Sequence, residues 1–169
     1  LKAAVLGERG PFDMIQCIGV LHHMKDPLVG WRVLARLLRP GGVFKLGLYS
    51  ERARQGVVRA RAAIAKLGLD ASPLEIAAFR RMIIDGEIEG DFGDVVATRD
   101  FYSTSMVRDL LFHVQEHRYT PLRLKAEIDD LQLEFLGFEP FDDPTIASRY
   151  AKMFPDDREM RDLEHWETF

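Results

Sequence analysis

The sequence is organised around residues 12–49, which read FDMIQCIGVLHHMKDPLVGWRVLARLLRPGGVFKLGLY. The apolar run Phe12–Ile18 predicts a strand covered on both faces, as strands of parallel sheets are. Asp26-Pro27 predicts a helix start, because aspartate accepts hydrogen bonds from the first backbone N–H groups and proline is tolerated at the first helical position. Pro40-Gly41-Gly42 predicts the end of that helix, and residues 43–49 predict the next strand. Strand, helix and strand at this spacing predict a right-handed crossover unit in a parallel sheet.

Length and composition indicate one ordinary globular domain. The chain has 169 residues, of which 47% are hydrophobic and 30% charged, which is enough for a hydrophobic core. The net charge of −4 provides no general attraction to nucleic acid or acidic lipid. A single cysteine, Cys17, leaves no intramolecular disulfide and favours a reducing cytoplasm. No apolar run approaches the roughly 20 residues that a membrane span needs.

The rest of the chain predicts mostly helices. Helical spacing and capping residues predict helices over about 51–67, from Pro73 after a Ser72 cap, over 104–113 and from Pro121 after a Thr120 cap. Residues 85–94 are rich in acids and glycine and predict a solvated loop. Residues 133–138 predict a third strand, and the remaining residues form an acidic tail.

Two motifs carry a resemblance to a known family. His-His-x-x-Asp-Pro stands before a tryptophan-bearing helix, and Leu-x-x-Leu-Leu-Arg-Pro-Gly-Gly follows within it. Together they resemble the fourth strand, fourth helix and fifth strand of class I S-adenosylmethionine-dependent methyltransferases. Residues 100–120 (DFYSTSMVRDLLFHVQEHRYT) resemble a segment of bacterial methyltransferases that follow tetratricopeptide repeats.

The resemblance runs roughly over residues 12–138 and implies an α/β fold, an incomplete Rossmann-like parallel sheet with flanking helices. Residues 1–138 would form the C-terminal part of a methyltransferase domain, with a helical insertion over about 51–131. The acidic tail, 139–169, would pack on this domain or on sequence outside the chain. We expect methyl transfer to an unidentified acceptor, a small molecule or a protein, by a larger cytoplasmic chain.

The glycine-rich cofactor loop of that family is not found in this sequence. Such a loop needs glycines two residues apart, so that the backbone can turn tightly and approach the ligand. The chain has 13 glycines, and no two of them stand two apart. We therefore expect the chain to be a fragment, with most of the S-adenosylmethionine site outside it. We also expect weak or no binding of the cofactor by this chain alone.

The resemblance also indicates site residues. The loop after the first strand would line the cofactor's methionine part through Cys17, Ile18, Gly19 and His22. Histidine changes charge near neutral pH and suits a general base, so His117 or His113 is the candidate catalytic residue. Substrate-binding candidates are Tyr102, Glu116 and Arg118. The alternative is plain structural hydrogen bonding by these side chains at a helix end.

Two further interpretations have less support. Residues 113–117 match the H-x-x-E-H pattern of zinc peptidases, but no third ligand follows at the spacing of that family, so we expect no metal. Basic side chains between Arg52 and Lys66 favour a solvated helix face over a nucleic-acid surface.

The alternative function is a non-catalytic half-domain that acts as a protein-interaction or degenerate module. The unpaired edge of the strand Phe12–Ile18 would then be a template for a partner or for self-association. We expect the chain alone to be marginally stable or to associate with itself.

Overall fold

A computed structural model describes residues 10–112, 115–139 and 143–169. The protein is mixed α/β, with a small parallel sheet and flanking helices, consistent with a partial Rossmann-like fold. The chain divides into two compact units. We call Leu1–Leu48 with Tyr119–Phe169 the sheet unit, and Tyr49–Arg118 the helical unit.

The sheet unit contains the strand–helix–strand segment that the sequence predicts. Strand β1 (Phe12–Ile18) pairs in parallel with β2 (Leu38–Gly47), and helix α1 (Pro27–Leu37) connects them. Asp26 Oδ1 accepts hydrogen bonds from the backbone N–H of Leu28 at 3.0 Å and of Val29 at 3.4 Å. The predicted first strand, the helix start and its aspartate cap are confirmed.

The end of α1 differs from the prediction. The helix ends at Leu37, and β2 begins at the next residue, so Pro40-Gly41-Gly42 lies within the strand. The pairing register shifts here, since Phe12 lies opposite Leu38 whereas Met14 lies opposite Val43. A strand tolerates proline and glycine where its ladder is interrupted by a bulge, which explains why this tripeptide does not delay the strand.

The parallel sheet is covered less completely than predicted. No residue of β1 or β2 is fully buried. Trp31 of α1 is fully buried, and its ring meets Phe44 edge-on at 6.2 Å. Met14 and Val43, which are cross-strand neighbours, are 56% and 42% exposed. Within the described residues, the prediction of a strand covered on both faces is therefore wrong.

After Tyr119, the second half of the sheet unit contains helices and no strand among its described residues. These helices are α6 (Pro121–Asp130), α7 (Thr145–Met153) and α8 (Leu163–Thr168), numbered after those of the helical unit below. The predicted strand over residues 133–138 is not formed. A strand needs a neighbour that satisfies its backbone groups, whereas here Phe138 packs on Phe135 at 5.0 Å and on Trp166 at 5.1 Å.

The helical unit begins and ends at a short two-stranded sheet of β3 (Tyr49–Ser50) and β4 (Arg118–Tyr119). Its helices are α2 (Gln55–Leu67), α3 (Pro73–Ile84), α4 (Gly93–Val96) and α5 (Thr104–Leu111). Helix α2 starts four residues later than predicted, because residues 51–54 form turns.

One contiguous hydrophobic core holds the helical unit together. Its buried members include Ile76, Phe79 and Ile83 of α3, which lie on one face of that helix. Ser72 Oγ accepts from the backbone N–H of Glu75 at 3.4 Å, and Gly68, with φ of +68°, ends α2. The predicted Ser72 cap of α3 is confirmed. In the described part of the chain, no helix is both long and apolar enough to cross a membrane.

Candidate functional site

The loop after β1 makes a tight, open turn. Gly19 has φ of +74°, a conformation that glycine adopts at little cost. A Cβ atom built on Gly19 would meet no described atom within 4 Å. The preceding Ile18 is 51% exposed. A ligand can therefore approach the backbone closely at this end of the strand, beside an accessible apolar side chain.

Cys17 and His22 flank this turn from more protected positions. Cys17 is partly buried and forms no disulfide. Burial raises the pKa of the Cys17 thiol, and a backbone hydrogen bond with Leu21 opposes that rise only in part, so the thiol is neutral near pH 7. His22 lies in the short 3₁₀ helix Leu21–His23 and is only 2% exposed, with its ring 4.3 Å from that of His23. Its side chain belongs to the packed interior of the sheet unit.

The second group of predicted residues lies in the helical unit, where Glu116 is held by two arginines. The Glu116 side chain is 1% exposed. Arg54 binds it with both Nη2, at 2.6 Å, and Nε, at 3.3 Å. Arg61 Nη2 donates to the same carboxylate at 3.1 Å. We call Arg54, Arg61 and Glu116 the arginine clamp.

The clamp determines the charge state of Glu116. Burial alone would raise the pKa of this carboxyl group, but the hydrogen bonds and positive charges of Arg54 and Arg61 outweigh burial and lower the pKa. Glu116 is therefore ionised near neutral pH, and both of its oxygens accept hydrogen bonds from arginine. Glu116 therefore has a structural role, and its carboxylate is poorly placed to accept a proton.

The remaining predicted residues that the structure describes make other contacts. His117 is partly buried, and its Nε2 has no hydrogen-bond partner among the described residues. Arg118 pairs with Glu51, with 3.0 Å between Arg118 Nε and Glu51 Oε2. Tyr102 is exposed and its ring meets Phe101 edge-on at 5.4 Å. His113 lies outside the described residues.

The structure also bears on the H-x-x-E-H pattern. Helix α5 ends at Leu111, and residues 115–117 are not helical, so His117 does not share a helix face with a histidine four residues earlier. Among the residues described, no cluster of three or more His, Cys, Asp or Glu side chains could hold a metal ion.

The basic residues of α2 and the turn before it are largely committed to intramolecular contacts. Besides the clamp, Arg59 donates to the backbone carbonyl of Asp91 at 2.8 Å and lies 3.9 Å from the Asp94 carboxylate. Three of the positive charges that the sequence places here are thus paired within the unit. Pairing of this kind reduces the positive field that a nucleic acid would meet.

Comparison with known proteins gives a family match for the first part of the sheet unit. Residues 7–46 match the family described as "Methyltransferase domain". The match includes β1, the glycine turn, α1 and most of β2, and it supports a class I, S-adenosylmethionine-dependent methyltransferase.

A longer relative extends the similarity over most of the chain. An uncharacterized protein of Synechococcus sp. is 30% identical over 156 residues, an alignment that covers 79% of this chain and 33% of the relative. The chain thus spans about a third of the length of this curated relative.

Sequence reasoning missed the arginine clamp. It singled out Glu116 as a substrate residue and the arginines as a solvated helix face, whereas the fold brings them together across 55 to 62 positions of sequence. A signal was present, because Arg54, which immediately precedes α2, and Arg61 are seven residues apart and so lie on one side of this helix. Two positive charges on one side of a helix are stabilised by a negative charge, so this pattern favours an acidic side chain next to them.

Proposed function

We propose that this chain takes part in methyl transfer from S-adenosylmethionine to an acceptor oxygen or nitrogen, as part of a larger protein. The observation that carries the proposal is the match of residues 7–46 to a methyltransferase domain, whose β1 ends in an open glycine turn. The greater length of the Synechococcus relative supports a larger chain.

The residues after β1 fit one wall of a cofactor site. S-adenosylmethionine supplies a methyl group bound to a positively charged sulfur, which an electron pair of an acceptor can attack. Ile18 offers an apolar surface, and Gly19 leaves room for close approach of a ligand. Cys17 adds a neutral side chain. An uncharged, apolar wall excludes water from a reacting group. His22 would fix the turn from the interior.

We propose that the segment around Glu116 binds the methyl acceptor and accepts its proton. We propose that His117 or His113 accepts the proton where one must leave the acceptor, because imidazole is a base near neutral pH. The arginine clamp fixes the position of Glu116 and so of the backbone next to His117. Tyr102 and Arg118 would bind the acceptor, which is a small molecule or a protein.

The proposal can be tested by cofactor binding with matched glycine variants. Equilibrium dialysis with radiolabelled S-adenosylmethionine would compare the 169-residue chain with a chain that includes the sequence encoded upstream of Leu1. We expect micromolar binding by the longer chain and weak binding by the shorter one. Gly19→Val in the longer chain should weaken binding at least about tenfold, because a side chain would occupy the space beside Ile18.

Gly68→Val is the matched control. Gly68 has φ of +68° and no described atom within 4 Å of a built Cβ, so a side chain there meets a similar positive φ, but the residue lies in the helical unit. An equal loss of binding in both variants, or no binding by the longer chain, contradicts the proposal.

A second candidate function is a non-catalytic interaction module. The exposed apolar pair Met14 and Val43 on the sheet supports it, because such surfaces mark contact sites. Under this alternative, the longer chain binds no S-adenosylmethionine, and the same face captures a protein partner.

A further inference from the structure

An open cleft of about 510 Å³ lies within the helical unit. One wall is a face of α2 made by Arg61, Ile64 and Ala65, and the others come from residues 69–71 and the end of α5. Ile64 and Leu111 are buried members of the hydrophobic core. The floor of the cleft is thus part of the packed interior, and its volume is in the range of small-molecule sites.

The cleft has one positively charged side chain, Arg61, which is 19% exposed. Arg61 Nη2 donates to the Leu110 carbonyl at 2.8 Å and to Glu116 at 3.1 Å. Its Nε is buried and has no hydrogen-bond partner among the described residues. A buried donor without a partner costs free energy, so this side chain has unused capacity for an acceptor.

The arginine clamp leaves a positive charge uncompensated next to the cleft. Glu116 carries one negative charge, but two guanidinium groups share it, Arg54 at 2.6 Å and Arg61 at 3.1 Å. Arginine stays protonated in proteins, so the clamp has a net charge of about +1. A partly desolvated excess charge of this kind is stabilised by an anion.

The rim of the cleft is ordered and limits the charge of a ligand. Arg108 Nε donates to the Ala71 carbonyl at 3.0 Å, and Asp70 Oδ1 accepts from the backbone N–H of Ser72 at 2.7 Å. The loop that forms the rim is therefore fixed before a ligand arrives. The Asp70 carboxylate also lines the cleft and offsets part of its positive charge, so a ligand with more than one negative charge would be repelled.

We propose that this cleft binds a small molecule with an apolar body and a single carboxylate, which pairs with Arg61. The apolar part would lie on Ile64 and Leu111, and the carboxylate would balance the excess charge of the clamp. This inference concerns binding in the helical unit and does not rest on methyl transfer.

The test uses a pair of probes that differ in charge. 1-Naphthoate and the neutral 1-naphthamide have the same ring and nearly the same size. Each would be titrated into the ¹⁵N-labelled protein by NMR, with affinities from calorimetry. We expect naphthoate to bind about tenfold more tightly than naphthamide, as a charge-assisted hydrogen bond predicts, with the largest shifts at residues 64–71 and 111–112.

Two variants assign the binding to the cleft. Arg61→Met should remove the preference for naphthoate, and it leaves Glu116 paired with Arg54. Ala65→Trp, at an exposed helix position, should block both probes by filling the cleft. Arg59→Met is the control, because Arg59 is on the same helix but its contacts lie with Asp91 and Asp94.

Several results would overturn the proposal. They are no saturable binding of naphthoate below millimolar concentration, equal affinity for the two probes in the unaltered protein, or an unchanged preference in Arg61→Met. Chemical shifts confined to residues outside the cleft would also overturn it. The comparison of the two probes in the unaltered protein decides the question even where a variant fails to fold.

Discussion

The helical unit and the sheet unit differ in how well they cover their apolar side chains. In the helical unit, buried residues of α2, α3, α4 and α5 form one continuous core. In the sheet unit, no residue of β1 or β2 is fully buried, although Trp31, Tyr150 and Leu163 of its helices are. The unit that matches the methyltransferase domain is therefore the less completely packed one.

The unit that we expect to contribute most of the stability is therefore not the unit that contains the match to the methyltransferase domain. Folding free energy scales with apolar area removed from water, so the helical unit should contribute most of it. A parallel sheet normally has both faces covered, and here one face retains exposed Met14, Ile18 and Val43. Substitutions of comparable residues in the two units test whether the units differ in their contribution to stability.

The largest effect is expected from a core truncation in the helical unit. Phe79 is fully buried among the helices, so Phe79→Ala should cost about 3–5 kcal/mol of unfolding free energy through lost burial and a cavity. Ile18→Ala in β1 removes a half-exposed side chain and should cost less than about 1 kcal/mol. Urea denaturation followed by circular dichroism measures both, and equal costs would contradict the contrast.

A smaller loss is expected from opening the arginine clamp. Glu116→Gln leaves Arg54 and Arg61 facing each other without a counter-charge, and removing one partner of a buried ion pair costs about 3 kcal/mol. Glu51→Gln is the control, because Glu51 pairs with Arg118 in a more exposed setting, and such pairs contribute about 1 kcal/mol or less. Chemical denaturation at neutral pH compares the variants. A clamp variant as stable as the control would show that the ion pair is dispensable.

The sheet unit has its own polar centre at Asp157, which makes its stability depend on pH. Asp157 Oδ2 accepts from the Tyr150 hydroxyl at 2.5 Å and from the backbone N–H of Asp162 at 2.9 Å. Burial alone would raise the pKa of Asp157, but these bonds and that from the Arg161 N–H outweigh burial and lower the pKa to about 2.

The depressed pKa fixes the sign of the pH dependence. The contribution of Asp157 is present in full above the ordinary aspartate pKa of 3.8 and is lost as pH falls towards 2. Both tryptophans, Trp31 and Trp166, lie in the sheet unit, so their fluorescence reports its unfolding by urea. We expect Asp157→Asn to be less stable at neutral pH and to lose less between about pH 5 and pH 2 than the unaltered protein. Asp156→Asn, at an exposed neighbour, should keep the unaltered pH dependence.

The features predicted from sequence were those that local residues determine. The limits of β1 follow from its apolar run and its flanking glycines, and Asp26, Ser72 and Thr120 cap their helices as predicted. Each cap depends on hydrogen bonds over two or three residues of sequence. The parallel pairing followed from the strand–helix–strand order.

The features that sequence reasoning missed depend on distant residues. Strand β2 runs through Pro40-Gly41-Gly42 because its bulge is set by pairing with β1. Residues 133–138 have an apolar pattern typical of a strand but no strand to pair with among the described residues. Of the candidate site, the open turn at Gly19 is visible in the sequence as a glycine after a strand, whereas the partners of Glu116 are not. The assigned roles of His117, Tyr102 and Arg118 remain predictions.

The smallest effect on stability, and a clear effect on association, is expected at the exposed sheet face. Met14 and Val43 lie opposite each other across β1 and β2, and exposed apolar sheets with unpaired edges are templates for self-association. Met14→Lys with Val43→Lys should change the unfolding free energy by only about 0.5 kcal/mol, since neither side chain is buried. Sedimentation velocity over a concentration series should show that the double variant is more monomeric than the unaltered protein.

Leu74→Lys provides the matched control for that experiment. Leu74 is also exposed and apolar, but it stands near the start of α3 in the helical unit and belongs to neither β1 nor β2. A lysine there adds the same kind of charge without touching the sheet, so we expect self-association to persist. If Leu74→Lys reduced association as much as the sheet variant did, general charge repulsion would explain the effect. If the unaltered protein were monomeric throughout the series, the sheet face would not be a self-association surface. The weak packing of the sheet unit would then have to be explained without a second copy of the chain.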